Sequence, residues 1–431
     1  MENKKRVLLV FVLLTVFMQL TAFSQDTLRV MQYNLFRYGE SGKEPSFKNP
    51  LLNTIVTYVQ PDVLGVNEVS ATADYAQNIL TGALNINGVT SWRRGALSKA
   101  GVDKSLTNTI FYNSNKLKLL SQDTVSTVQR EITGFNFMYV DSNSVKTGDT
   151  IFFTVLVLHF KAGNTSSDEA TRGNEAIQIV NYINAFGKSK NIMVMGDYNV
   201  YTNTEAAFYQ LTTNTDSLNK LKDPLNKVGT WNNNSAYQNI HTQSTHTTQT
   251  GGFSSGGMDD RFDIMLCSKS LISDSANMRI LPSTYIPVGN DGQHFNLAIN
   301  AAPTNTSVPT DVLGALYNMS DHIPIRADFV FTPKKHLPQS VSQELKNFEN
   351  QIYLQNPISN ELNIHVSAAL LSKNISFELF DINAKRLLKF NHLFTENDLH
   401  YTLPFDMNQG VYILKIRNEN GWVIQRKLLK K

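Results

Sequence analysis

Between residues 28 and 331 the apolar positions fall into short, nearly continuous runs, each closed by a polar or charged side chain. Runs of this length and composition predict strands at 28–36, 63–66, 109–112, 116–120, 151–160, 191–196, 262–267 and 323–331. Asn113-Ser114-Asn115 predicts a hairpin between the third and fourth of them. Residues 51–59 predict a helix that Pro61 stops, because proline offers no amide hydrogen and biases its predecessor away from helical angles. Ser166-Ser167-Asp168-Glu169 offers a capping box to a second helix, with Ala176, Ile179, Val180 and Ile183 on one face. Strands outnumber helices, and the helices are inserted singly. That pattern predicts two packed sheets with helices outside, an α/β sandwich. Residues 231–257 are rich in Asn, Thr, Gln and Gly without periodicity, which predicts a long surface loop with solvated His241 and His246.

The pattern changes after Phe331. Thr332-Pro333-Lys334-Lys335 ends a strand-like run, residues 339–350 are polar, and from Ile352 short period-two runs alternate with turn residues. This is the signature of a small all-β sandwich. At the other end, Lys4-Lys5-Arg6, an apolar core over 7–18 and Ala22-Phe23-Ser24 make the three parts of a secretory signal peptide. The apolar core falls short of the roughly 20 residues that span a bilayer. The expected division is therefore a signal peptide over 1–24, a main domain over 25–333, a linker over 334–350 and a C-terminal domain over 351–431.

Composition narrows the function. The formal charge is +3, but residues 25–333 hold 23 basic and 26 acidic residues, so the main domain lacks the basic footprint of a tight nucleic-acid coat. Catalysis on phosphodiesters remains open, since a bound cation supplies positive charge locally. One cysteine, Cys267, excludes an intramolecular disulfide, and its apolar setting predicts a buried inert thiol.

The informative positions are the polar ones that interrupt strands: Asn34, Glu68, His159, Asp197 with Asn199, Asp263, and Asp321-His322. Strand ends are where α/β folds assemble sites. A phosphodiester is anionic, so its hydrolysis needs charge neutralisation, a positioned water and a protonated leaving oxygen. Glu68, Asn34 and Asp321 offer hard oxygen donors suited to Mg²⁺ or Mn²⁺. Asp263 with His322 makes an Asp–His dyad; Asp197 is placed to orient or deprotonate water, Asn199 to contact the phosphate, and His159 to donate to an oxygen.

The order Gln32-Tyr33-Asn34, Asn67-Glu68, Leu158-His159, Gly196-Asp197-Tyr198-Asn199, Arg261-Phe262-Asp263 and Ser320-Asp321-His322 resembles the endonuclease/exonuclease/phosphatase superfamily. The resemblance covers essentially all of 25–333. It implies a four-layer α/β sandwich of the DNase I-like type and metal-dependent hydrolysis of phosphate esters. One branch of that family backs the histidine matched by His159 with a glutamate shortly before the third strand; here that region reads Ser105-Leu106-Thr107-Asn108 and supplies no carboxylate. Arg130-Glu131 matches a pair that approaches the nucleic-acid backbone in that branch, which makes Arg130 a substrate-binding candidate.

The last 80 residues or so resemble the C-terminal sorting domain of the type IX secretion system. The carriers are Asn356-Pro357, Leu379-Phe380-Asp381 with Lys385, Gly410-Val411-Tyr412 and the terminal lysines, although Leu354-Gln355 depart from the usual opening. The expectation is an exported, monomeric, Mg²⁺-dependent phosphodiesterase, secreted or at the cell surface. Nucleic acid is its expected substrate, and the secretion machinery its expected partner. A phospholipid or small phosphate-ester hydrolase is the first rival. A catalytically inactive surface-binding protein is the second.

Overall fold

A computed structural model describes residues 26–98, 105–125, 127, 129–140, 151–185, 190–213, 219–274, 277–331, 339–383, 385–419, 421 and 423–431. The signal-peptide segment and residues 332–338 lie outside the described residues. The chain divides into two compact units, with the boundary after Lys334.

The first unit is built on two six-stranded sheets. One contains β1 (Thr27–Tyr38), β2 (Val63–Ser70), β3 (Trp92–Arg94), β4 (Leu106–Asn113), β11 (Met278–Pro287) and β12 (Ile325–Phe331), in the order β11-β12-β1-β2-β4-β3. The other contains β5 (Leu117–Val125), β6 (Ile132–Tyr139), β7 (Phe152–His159), β8 (Ile192–Asp197), β9 (Leu221–Lys222) and β10 (Asp263–Ser268), in the order β5-β6-β7-β8-β10-β9. Each sheet has one parallel pair, β1/β2 and β7/β8, and every other pairing is antiparallel. A helix bridges each parallel pair: α1 (Pro45–Val59) in the first sheet, α3 (Ser166–Asn184) in the second. The remaining helices are α2 (Tyr75–Ile79), α4 (Ala206–Thr213), α5 (Lys269–Ser273) and α6 (Thr310–Met319).

Side-chain alternation sorts the apolar residues into three cores. Leu28, Val30, Val63 and Ile110 of the first sheet meet Phe135, Val155, Val157, Met193 and Met265 of the second, so the sheets pack face to face. The outer face of the first sheet, through Met31, Tyr33, Leu64 and Val66, packs on α1 and α6. The outer face of the second, through Leu156, Leu158, Val194 and Ile264, packs on α3 and α4. Helix, sheet, sheet, helix is the four-layer sandwich the sequence implied. Cys267 is buried in the central core. The cap of helix α3 lies one residue earlier than expected. Thr165 is the N-cap, and its reciprocal bonds with Asp168 close the capping box.

Two expectations are overturned. The hairpin over 109–120 does not form: β4 pairs with β2 and β3, and β5 pairs with β6 in the other sheet. Asn113 N donates to Asp62 O, Ser114 N to Ser91 O and Lys116 Nζ to Asp62 Oδ2, so the turn is fastened to the first sheet while Leu117 enters the second. The 231–257 segment is solvated only in part: residues 247–252 are exposed, but His241 and His246 are buried, the former with its ring nitrogens 3.2 and 2.9 Å from the carbonyls of Met258 and Trp231. The buried stretch is paired with the rest of the unit: Ile323 N donates to Thr242 O, and Thr245 N to Asp321 O.

The second unit pairs β13 (Ile352–Leu354), β14 (Glu361–Val366) and β17 (Asp398–Thr402) in one antiparallel sheet. β15 (Asn374–Phe380), β16 (Arg386–Leu393), β18 (Gly410–Arg417) and β19 (Val423–Lys430) make a second. The two close on a common core that includes Leu362, Ile364, Phe377, Leu379, Leu414 and Ile416. Part of the expected linker is ordered: helix α7 (Gln339–Asn350) places Phe348 in this core.

Arg172 of α3 is only 1% exposed and donates to Lys161 O, Gly163 O and, twice, to Glu205 Oε2. It pins the loop after β7. Removing one partner of a buried pair leaves an uncompensated charge. Arg172→Met is therefore expected to destabilise the first unit by about 3–5 kcal/mol in urea unfolding. A change below about 1 kcal/mol would contradict this role.

Candidate active site

The two parallel pairs point their C-terminal ends at the same rim, the place where open α/β sheets build sites. From the first sheet, β1 brings Asn34 and β2 brings Glu68. From the second, β7 ends on His159 and β8 on Asp197. Register then adds the rest: His159 lies beside Asp197, and Asp263, first residue of β10, lies opposite it. The turn into β12 delivers Asp321 and His322.

Local backbone aims these side chains. The β1–β2 pairing shifts between Asn34 and Tyr38, and the β2–β4 pairing between Val66 and Val69. Such irregularities redirect a side chain that a regular strand would send elsewhere. Phe36, Arg37, Glu68 and Asn199 adopt left-handed φ of 46°, 56°, 57° and 50°. Strained residues of this kind collect where the surrounding fold holds a site in place. Gly196 precedes Asp197 with φ 153°, and a Cβ there would sit 1.9 Å from Leu158 O, so only glycine lets β8 approach β7 at this point.

Asp197 is the hub. Its Oδ2 accepts from Asn34 Nδ2 at 3.0 Å and lies 3.5 Å from His159 Nε2 and 3.7 Å from His322 Nε2. Its Oδ1 accepts from Asn199 N at 3.0 Å. Asn34 Nδ2 also donates to Glu68 Oε1 at 3.0 Å, while Asn34 Oδ1 accepts from Phe36 N. Glu68 Oε2 accepts from Arg37 N at 3.1 Å. Asn199 Nδ2 donates to Phe160 O at 3.3 Å. Asp263 Oδ2 is 2.7 Å from His322 Nδ1 and forms the expected pair. Arg130 reaches the carbonyls of His159 and Phe160 at 3.5 Å, and its charge acts on His159 and Glu68. All eight residues expected at the site, together with Arg130, lie at this rim. No carboxylate backs His159: among the described residues its buried Nδ1 has no hydrogen-bond partner.

The sequence did not point to Gln243. Its Nε2 lies 2.7 Å from His322 Nε2 and 3.5 Å from Asp321 Oδ2, brought there by the segment expected to be solvated. Nothing in its neighbourhood in sequence marks it, because its partner is 79 residues away.

Burial and mutual repulsion set the protonation. Burial pushes Asp197 up, with Asp263 and Glu68 adding to the rise and His322 opposing it. Burial, then Asp321, also raises Glu68. Burial holds His159 well below the usual histidine range, reinforced by Arg130 and His322. Burial would likewise depress His322, but Asp263 and Asp197 outweigh it and raise the ring well above its ordinary value. The Gln243 amide can present either end to that ring, and the carboxylates decide its charge.

The site suits a cation. Glu68, His159 and Asp197 each offer a ligand atom, and these lie within 4.8 Å of one another. Asp321 Oδ1 is buried without a partner among the described residues. This trio differs from the expected set of Asn34, Glu68 and Asp321. Only Glu68 is shared, and the Asn34 oxygen is engaged by Phe36 N. A mixed nitrogen and oxygen set accommodates Mn²⁺ as well as Mg²⁺.

These shifts carry a sign. His322, raised in the fold, contributes stability that is full below about pH 6.5 and is lost as pH rises through its folded value. His159, depressed, costs stability as pH falls below about 6.5, where only the unfolded chain takes up the proton. In ¹⁵N NMR of the metal-free protein at pH 6, His322 is expected to be doubly protonated and His159 neutral. The reverse assignment would contradict the electrostatics described here.

No curated protein matches the chain. Among solved structures, the chain is similar to the human Nocturnin catalytic domain at 16% identity, covering 72% of this chain and 98% of that one, with a TM-score of 0.45. It is similar to an endonuclease/exonuclease/phosphatase from Bacteroides vulgatus at 14% identity, covering 71% and 100%, with a TM-score of 0.44. A third is D. rerio TDP2, solved with a single-strand DNA product, at 13% identity, covering 70% and 99%, with a TM-score of 0.44. Among the described residues no helix is long and apolar enough to cross a membrane. Residues 355–431 match the family described as "Secretion system C-terminal sorting domain", and by that domain the chain is directed to secretion or to the cell surface.

Proposed function

We propose that the first unit is a divalent-metal-dependent phosphodiesterase that acts on nucleic acid outside the cell. The observation that carries this reading is the meeting of Glu68, His159, Asp197 and the Asp263–His322 pair at one rim, drawn from both sheets. Glu68, with His159 and Asp197, would hold the cation, which when bound supplies charge neutralisation for the phosphate.

The chain's own groups do the rest. Asp197, bridged to Asn34 and Asn199, orients the attacking water and accepts its proton. Asn199, fixed by its backbone bond to Asp197, turns its amide to a nonbridging oxygen. The His322 imidazolium, held by Asp263 at Nδ1, presents Nε2–H to the phosphate oxygens. Arg130 brings positive charge to the rim for a polyanion, whereas Arg37 and Lys161 beside it are ion-paired with Glu40 and Asp168.

The purified protein is expected to cleave DNA or RNA in preference to sphingomyelin or inositol phosphates. EDTA should abolish the cleavage and Mg²⁺ or Mn²⁺ restore it. Full turnover in chelator, or hydrolysis of the lipid alone, would contradict the proposal.

A further inference from the structure

Lysine is almost never fully buried unless a counter-charge accompanies it. Lys48 of α1 is 0% exposed and, among the described residues, forms no ion pair. Its ammonium instead donates to two backbone carbonyls, Leu35 O at 3.2 Å and Met319 O. Both acceptors are ones that regular structure leaves open. Leu35 lies in the stretch of β1 where pairing with β2 is interrupted. Met319 is the last residue of α6, whose terminal carbonyls lack intrahelical donors and carry the negative end of the helix dipole.

These two carbonyls sit next to the chemistry. Leu35 follows Asn34, and Met319 precedes Ser320-Asp321-His322. The rings of Phe36 and Phe253 cover the ammonium at 5.7 and 5.6 Å, which suits a cation and keeps water from the carbonyls. Phe253 belongs to the loop whose Ser254 N donates to Asp321 Oδ2. Burial pushes the amine down to about 7, and Asp321 pulls it back up, so its placement costs stability that a methionine of similar length would not.

Resting on the phosphodiesterase reading, we propose that Lys48 is a positioning residue of the site. It clamps the end of β1 to the end of α6, and so fixes Asn34 against the Asp321–His322 turn. Its contribution is to geometry at the cation and the phosphate, and it does not touch the substrate.

The test compares full-length wild type, Lys48→Met and Lys48→Ala. Mn²⁺ binding is followed by electron paramagnetic resonance, and kcat and KM are measured on a single-stranded DNA oligomer. Lys48→Met is expected to fold by circular dichroism, to bind Mn²⁺ about 10–100-fold more weakly, and to lose about 10²-fold in kcat with KM little changed. Propylammonium, and not propanol, should restore Mn²⁺ binding in Lys48→Ala. Wild-type Mn²⁺ affinity and kcat in folded Lys48→Met would overturn the proposal. So would failure of both variants to fold even with propylammonium, which would make the lysine a support of the core alone. A wild type that binds Mn²⁺ but cleaves neither DNA nor RNA would overturn the phosphodiesterase reading instead, and the Mn²⁺ measurements would still judge Lys48.

Discussion

Glu68, Asp197, Asp263 and Asp321 are gathered at one buried rim, and like charges in a dry setting repel strongly. The rest of the site answers that repulsion. Asn34 spreads its amide between Glu68 and Asp197, His322 stands between Asp263 and Asp197, and Arg130 adds positive charge from the side. What these groups leave uncompensated, the proposed cation would supply. Burial first, and the neighbouring carboxylates after it, raise Asp197 and Glu68 in the metal-free protein.

A fold has to hold such a cluster against its own repulsion. Here each sheet contributes one βαβ crossover, and the two crossovers direct their strand ends to the same edge. The central core between the sheets sets the spacing of Glu68 from Asp197, and the outer cores fix the helices that brace each strand. Left-handed residues at Phe36, Arg37, Glu68 and Asn199 cost on the order of 1–3 kcal/mol each and persist because these three cores over-determine them. The second unit has its own sheets and its own core, and its sorting-domain match gives it a separate task, export.

The rim residues were legible because a charged side chain at the end of an apolar strand conflicts with its surroundings, and the conflict is visible one strand at a time. Asn34, Glu68, His159, Asp197, Asp263 and His322 all announce themselves in this way. Lys48 does not. It interrupts a polar stretch before the apolar face of α1, where a lysine reads as a solvated helix residue. Gln243, His241 and His246 were hidden by composition: an Asn/Thr/Gln/Gly segment looks solvated whether its polar groups meet water or backbone carbonyls. The crossing from β4 to β5 was hidden because an Asn-Ser-Asn turn between two apolar runs closes a hairpin and a change of sheet equally well. What decides between them is a lysine bond to Asp62, 54 residues away.

On the proposed reading, the Asp263–His322 pair works as one unit on the phosphate. A double-mutant cycle in kcat, on folded and metal-replete protein, tests it most directly. General acid–base assistance is typically worth about 10²–10⁴ in rate. The account predicts that Asp263→Ala and His322→Ala each lose on that order, with the double mutant little worse than His322→Ala, since the second change removes what the first has already disabled. Strictly multiplicative losses would mean that the two residues act separately, and would contradict the account.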